Sequence, residues 1–555
     1  MYPIWFVILG VIVYGLAYFT YAKWYDKHVW EPDPKKPTPA HTYMDGITFF
    51  PVSKYVLYGF QFKGIAGLGP ILGPFIALMY GWVPALIWIL LGNFFIGWIH
   101  DYSSLMLSVR NEGKTMGPLS YELISPRARR ALLGFLVFYL ILILAVFMVL
   151  CSLFFKVYPA SVLAMIFLVL GGVVSGALLY KAKMGVGTST LVGIIIIIIG
   201  IILGVQVPIK HPSLALWMVF TSIILFIAAV TPLMWVTQPV VYVASFPAIF
   251  GILLLFIGAL ASPATGVRIE QPGYLGFMAK AGPMWPLLTV SIACGAISGW
   301  HSLISTSGSA SQLDVETDAL PVGGGAMLTE GLLALMSLAA YMVLTPGEIK
   351  ELGGVKWTCL VHGAKKLIVP ITGGEPYIEA FYGLWLELYA LTIAMIVIRF
   401  LWLTFGEITA GVPPLRVIIG NKWGGSIIGL LVAGAFAYTG AWINLWLLFG
   451  GSNQLLAGLA LILVTIYLAK VKKPTIYTLA PAAFMIVTCE AALLWEAKDF
   501  FLKMGQLVKP PMKAGTLAAK ALNFIFGVVG IVLFILGLLV AIDAIKAYRK
   551  AKAGG

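Results

Sequence analysis

One short run constrains this chain more than any other. GIAGLGPILGP (Gly64 to Pro74) places four glycines and two prolines inside a stretch otherwise as apolar as a membrane helix. Proline removes a backbone donor and collides with the carbonyl one turn back, and glycine loosens the helix further. Backbone opened at membrane depth survives only where protein buries it or where it lines a cavity. Small residues at this spacing also suit close helix packing, but six breakers in eleven residues exceed what a packing face requires.

The membrane setting follows from composition. Of 555 residues, 61% are hydrophobic and 10% charged, with a mean hydropathy of +0.98. Soluble domains carry about 25% charged residues. Runs such as IIIIIIGIILG (Ile194 to Gly204) recur along the chain, and about 20 apolar residues suffice to cross a bilayer. Such runs predict an all-α, polytopic integral membrane protein of about fifteen spans. They lie at 3–22, 57–80, 82–109, 130–155, 160–180, 186–206, 214–231, 239–262, 284–307, 325–345, 378–404, 425–449, 451–470, 475–496 and 518–547. The ten-residue alternation of barrel strands is missing. WFVILGVIVYGLAYFTYA lacks a basic n-region and a small-residue cleavage site, so it is read as a retained helix rather than a signal peptide.

Charge sets an expected orientation. Lys23 to Lys54, RNEGKT with RARR, KAK, KVKK and KAYRKAK all fall on one side if the N-terminus is outside. The opposite side draws mainly on GVKWTCLVHGAKK and the loop Lys498 to Lys520. The bias predicts an outside N-terminus and a cytoplasmic C-terminus in the cytoplasmic membrane. The net charge of +14 is therefore a topology signal, since no basic stripe alternates with stacking aromatics and nucleic acid is not an expected partner. Four cysteines lack metal or redox spacing, and neither a metal nor a disulfide framework is expected. The chain divides into a first helix with a proline-rich loop (1–56), a transport core (57–470) and accessory helices (471–555).

A second interruption occurs in SIACGAISGWHSLISTSGSAS, where small residues and hydroxyls displace bulky aliphatics. The two interrupted spans run in opposite directions, which is the sequence pointer to a secondary transporter built from inverted repeats. Both should break, near Gly67 to Pro70 and Ser298 to His301, and face each other near the midplane across a polar cavity. Half-helix N-termini there offer N–H groups to an anion, and freed carbonyls can hold a cation. Lys63, Gly67, Gly69, Pro70, Ser298, Gly299 and His301 are the candidate substrate residues, for a small carboxylate. His100 and Asp101, toward the cytoplasmic end of their span, and Glu330 are the candidate ion-coupling residues, because ionisable groups inside spans are costly. Glu330 is expected to be the more desolvated of the two carboxylates, and Asp101 to hold structure or gate the cytoplasmic side. Arg399 is expected to snorkel, and Glu490 to be neutralised or paired.

Three ordered stretches resemble signatures of the carbon starvation protein A family of membrane transporters. They are PTPAHTYMDGITFFPVSKYVLYGFQFKGIAGLGPILGP, then GAISGWHSLISTSGS with GGGAMLTE, then FGGSNQLLAGLAL. The resemblance implies uptake of pyruvate or small peptides across a prokaryotic inner membrane, proton coupling, and a role in the starvation response that gives the family its name. It also implies a leucine-transporter-type core of two inverted five-helix repeats, and adds Ser452, Asn453 and Gln454 as matched polar positions. Phe60-Gln61 stands where many members have a His-His pair, and Thr392 and Ile396 stand where an acidic residue and an arginine are usual. The leading expectation is a proton-coupled importer of a small organic anion. The alternative is a Na⁺-coupled carrier of amino acids or related solutes, with Na⁺ held by carbonyls at the first break together with hydroxyls. No cofactor beyond H⁺ or Na⁺ is called for. A Walker A sequence is absent, as are H-E-x-x-H and a nucleophile–base pair, so ATP-driven transport and enzyme chemistry are not expected. A channel and a metabolite sensor are lesser readings, and oligomeric state is left open.

Overall fold

The computed structural model describes residues 1–438, 442–506 and 515–553. Among the described residues the apolar runs named above are mainly helical, because a helix satisfies its own backbone hydrogen bonds where no water can. Among the described residues, eleven helices are long and apolar enough to cross a membrane. A twelfth span is the pair Lys54–Ile65 and Gly69–Tyr80, bent by 40° at its break. Fifteen is not reached on this criterion. Leu214–Val230 and Lys422–Tyr438 are apolar but short, and the 284–307 run is divided into pieces too short to qualify. The loop expected at Lys498 to Lys520 begins later, since Ile476–Leu502 is one helix, and its residues 507–514 lie outside the described part. The long 346–377 connection carries two helices of its own, Pro346–Glu351 and Lys356–Thr372.

Alternate connections gather on two opposite faces. On one, Ile269 N–H donates to Met1 O (2.9 Å), Leu275 N–H to Tyr80 O (3.0 Å) and Glu270 N–H to Met342 O (2.8 Å). On the other, Lys473 pairs with Glu31 (2.6 Å), Thr475 meets Tyr548 (3.1 Å) and Arg127 pairs with Asp543. We call these the N-terminal and C-terminal faces. The C-terminal face is closed by the proline-rich segment 31–53, which lies along the stretch following the second broken helix. Phe50 and Val52 N–H groups donate to Ser311 O and Gln312 O (both 3.1 Å), and Thr38 Oγ1 donates to Leu313 O (2.5 Å). Buried Glu316 then accepts from Arg110 (2.6 Å) and from Asp33 N–H (3.0 Å).

The N-terminal face is open by contrast. A cavity of about 590 Å³ lies between the outer halves of the two broken helices, with Ile76, Met79, Leu287, Ser291, Trp446 and Trp495 among its lining residues.

Candidate functional site

The first broken helix stops at Ile65 and restarts at Gly69, leaving Ala66 extended in ψ (φ −70°, ψ 103°). Proline at the second position of the new half-helix, Pro70, belongs there because its missing N–H is one that a helix start leaves unpaired anyway. The second broken helix runs as Met284–Ser291, Ala293–Ala296 and Gly299–Ile304, with Ser298 fully extended (φ −148°, ψ 132°). Gly67 lies in the unwound segment of the first helix, against Phe147 and Ile393.

Each break leaves backbone groups that need partners, which come from the other broken helix and from the helix Trp442–Lys470. Trp300 Nε1 donates to the freed Gly64 O (2.7 Å). Trp300 N–H, at the start of the last half-helix, donates to Asn453 Oδ1 (2.9 Å). That oxygen also accepts from Tyr139 (2.6 Å) and Ser298 (3.1 Å), while Asn453 Nδ2 donates back to Ser298 Oγ (2.9 Å). Gln454 Nε2 donates to Thr289 O (3.0 Å), and Ser452 Oγ bonds within its own helix to Leu448 O (2.6 Å). Gln61 links the helices on the C-terminal side, donating to Ser305 Oγ (3.0 Å) and accepting from Ser309 Oγ (2.5 Å).

Close approach explains two of the glycines. A Cβ on Gly73 would stand 2.5 Å from Ser291 O, and one on Gly299 would stand 2.2 Å from Asn453 O. Gly69 rests on Cys294 in the same manner. At Gly69 and Gly73 the broken helices touch directly, while Gly299 rests on the helix Trp442–Lys470, and the cavity between their outer halves has a mainly apolar lining in place of the polar one expected.

The ionisable residues form a chain at the second break. His100 Nδ1 lies 2.7 Å from Asp101 Oδ1, and Asp101 Oδ2 lies 2.9 Å from His301 Nδ1. On the far side of the ring, His301 Nε2 lies 3.0 Å from Glu330 Oε2. All four side chains are fully buried. The expectation that Asp101 sits toward the span's end and is less desolvated than Glu330 is therefore corrected: it lies nine residues before Arg110 and has no exposure. Each of the three helices in this chain contains a π-helical turn close to the residue it contributes, at Asn93–Gly97, Ser305–Ser309 and Leu320–Gly325. Such turns are frequent at functional sites because they re-aim the side chains beside them.

Lys63 stands apart from the chain, at the first break. Its Nζ donates to Ala66 O (2.9 Å) and Thr392 Oγ1 (2.8 Å) and lies 4.1 Å from the centre of the Tyr389 ring. The lysine is fully buried.

Sequence reasoning passed over several participants. Cys294 Sγ, His301 and Glu330 offer ligand atoms within 4.8 Å of one another, a thiol–imidazole–carboxylate group able to hold a metal ion where none was expected. Cys294 is one helical turn before Ser298, so its side was legible. Tyr389, Tyr139 and the buried Glu387, which accepts from Ser161, gave only the weaker signal of polar groups inside apolar runs. Elsewhere Arg399 reaches the Thr231 carbonyl (3.0 Å) at the end of a helix on the C-terminal face. Glu490 packs against Gly537 with neither carboxylate oxygen hydrogen-bonded among the described residues.

Comparison with known proteins bears on this geometry. The family described as "Carbon starvation protein CstA" matches residues 2–359 and 353–492. The peptide transporter CstA of Bacillus subtilis (strain 168) is 27% identical, over 98% of this chain and 96% of that protein. The pyruvate/proton symporter BtsT of Escherichia coli (strain K12) is 28% identical, over 88% and 81%. A crystal structure of the Eremococcus coleocola manganese transporter, bound to an aromatic bis-isothiourea substituted compound, aligns with a TM-score of 0.47 and 13% identity. That alignment covers 92% of this chain and 99% of the solved one.

Proposed function

This chain belongs to the carbon starvation protein CstA family and is a multi-pass membrane transporter, and from that premise we propose that it takes up a small organic anion, pyruvate or a small peptide, driven by protons. The observation that carries the proposal is the buried Asp101–His301–Glu330 chain, with contacts of 2.9 and 3.0 Å, seated on a broken helix. A symporter needs a group whose protonation is felt by the substrate site, and histidine between two carboxylates is suited to passing a proton from one to the other. His301 belongs to the half-helix that begins at Gly299, so a change in its bonding bears directly on that start, where Asn453 holds the Trp300 N–H and would have to release it to a substrate. A substrate carboxylate bound to such N–H groups would meet the positive end of the half-helix dipole. The cavity on the N-terminal face, which reaches as far as Val290 and Ser291 on the outer piece of the second broken helix, supports entry from that side, which we take to be the outside of the cytoplasmic membrane. In this reading residues 57–470 form the transport core and 471–555 support it.

The runner-up, Na⁺ coupling at the first break, is disfavoured by one contact. The carbonyl and hydroxyl that would hold Na⁺ there are engaged by Lys63. Purified protein in liposomes, given labelled pyruvate or labelled dipeptides under imposed pH or Na⁺ gradients, tests both readings. Accumulation on an inward-acid pH gradient is expected. Accumulation on a Na⁺ gradient alone would reverse the order.

A further inference from the structure

The Lys63 side chain has surroundings unlike those of a structural ion pair. Its ammonium is fully buried, yet among the described residues no carboxylate lies within ion-pair distance of it. What surrounds it instead is a backbone carbonyl oxygen, a hydroxyl oxygen and the face of an aromatic ring. Oxygens of neutral groups are the ligands by which proteins strip and hold monovalent cations, and an aromatic face adds attraction for any cation placed over it. The place is the C-terminal end of the half-helix Lys54–Ile65, where unpaired carbonyls give a partial negative charge. Thr392 is committed to the same purpose: its hydroxyl donates to Leu388 O (2.6 Å), which turns its lone pairs toward Lys63.

We propose that the first break is a seat for a monovalent cation and that Lys63 is its resident occupant, the tethered ammonium standing where free Na⁺ would otherwise bind. The seat joins Lys54–Ile65 to Glu375–Ile408 through Ala66 and Thr392, so its occupant clamps the broken helix to the long helix behind it. The consequence for transport, uptake without a Na⁺ requirement, rests on the function proposed above. The seat itself does not.

The test therefore reads binding rather than transport. Full-length wild type, Lys63→Ala and Lys63→Met are purified throughout in NaCl, exchanged into choline chloride, and melted with increasing NaCl at constant ionic strength. Lys63→Ala opens the seat and should melt lower than wild type in choline. It should regain about 2 °C or more as Na⁺ rises, along a saturating curve. Wild type, whose seat is filled, should not respond to Na⁺, and Lys63→Met, which fills the space with a group that needs no oxygen ligands, should not respond either. Lys63→Ser serves as a second opened variant with the same expected curve. A Lys63→Ala or Lys63→Ser protein that melts identically in Na⁺ and choline would overturn the seat. A wild type stabilised by Na⁺ as strongly as Lys63→Ala would show that Lys63 does not occupy it.

Discussion

The two breaks answer the same problem, freed backbone at membrane depth, with different chemistry. At the first, a lysine folds back onto the carbonyl of its own break and the remaining contacts are apolar or hydroxylic. At the second, Asn453 caps the new half-helix and a chain of two histidines and two carboxylates runs past it. The first break thus carries a buried lysine and no acid, and the second carries the histidines and carboxylates. Division of labour between a static seat and a proton-responsive site is what the difference teaches, and each half of it can be broken separately.

The largest effect is expected from Glu330→Gln, which keeps the shape and removes the titration. Accumulation of labelled pyruvate on a pH gradient should be abolished in liposomes, while exchange of internal for external substrate continues. Undiminished accumulation would move coupling away from the second break. Next comes His301→Ala, which removes the link between Asp101 and Glu330. Losing a hydrogen bond to a charged group costs roughly 1.5–3 kcal/mol, so substrate affinity should fall about ten- to a hundredfold in a binding assay. Unchanged affinity would reduce the ring to a packing residue.

Glycine substitutions sharpen the comparison through stability. Gly299→Ala drives a methyl into the Asn453 carbonyl at 2.2 Å, whereas Gly67→Ala meets only side-chain atoms, at 3.2 Å from Phe147. Overpacking of that kind costs about 1–3 kcal/mol. Gly299→Ala should therefore melt well below Gly67→Ala, and equal melting temperatures would mean that the second break is the looser one.

The smallest effect lies away from both breaks and serves as their control. Glu348 is partly buried, which alone would raise its pKa, but the Thr345 N–H and Lys366 overcome that and hold it at about 2 against an ordinary 4.5. A depressed carboxylate stabilises the fold above its unfolded pKa and loses that contribution as pH falls through the folded one. The melting gap between wild type and Glu348→Gln should be constant above about pH 5 and close between 4.5 and about 2. Transport on a pH gradient should not change.

How far the sequence carried these conclusions differs between the two breaks as well. Breakers inside apolar runs placed both interruptions within a residue or two, because Gly and Pro act on the backbone locally. His301 and Glu330 stood out as ionisable residues in apolar surroundings. Their partnership with Asp101 did not, since it joins positions 200 residues apart. Lys63 was visible as a buried cation, but its acceptors come from a backbone turn and from a threonine 329 residues away, and nothing local identifies them. The polar cavity expected at the breaks failed for a packing reason: Gly69 and Gly73 let the first broken helix rest on Cys294 and Ser291 of the second, close enough to exclude it there.

The closure of the C-terminal face sets a timetable for making the protein. Thr38 finds its acceptor at Leu313, 275 residues later in the chain. At about 5–20 residues per second, the proline-rich segment waits on the order of 15–55 s after synthesis before the strand-like stretch it rests on exists. During that interval Arg110, whose carboxylate partner is Glu316, is also without it. Chains halted before residue 300 should lose the 31–53 segment to added protease, and completed chains should protect it. Nascent chains of this transporter thus pass through a stage in which the face that is sealed at maturity is the one standing open.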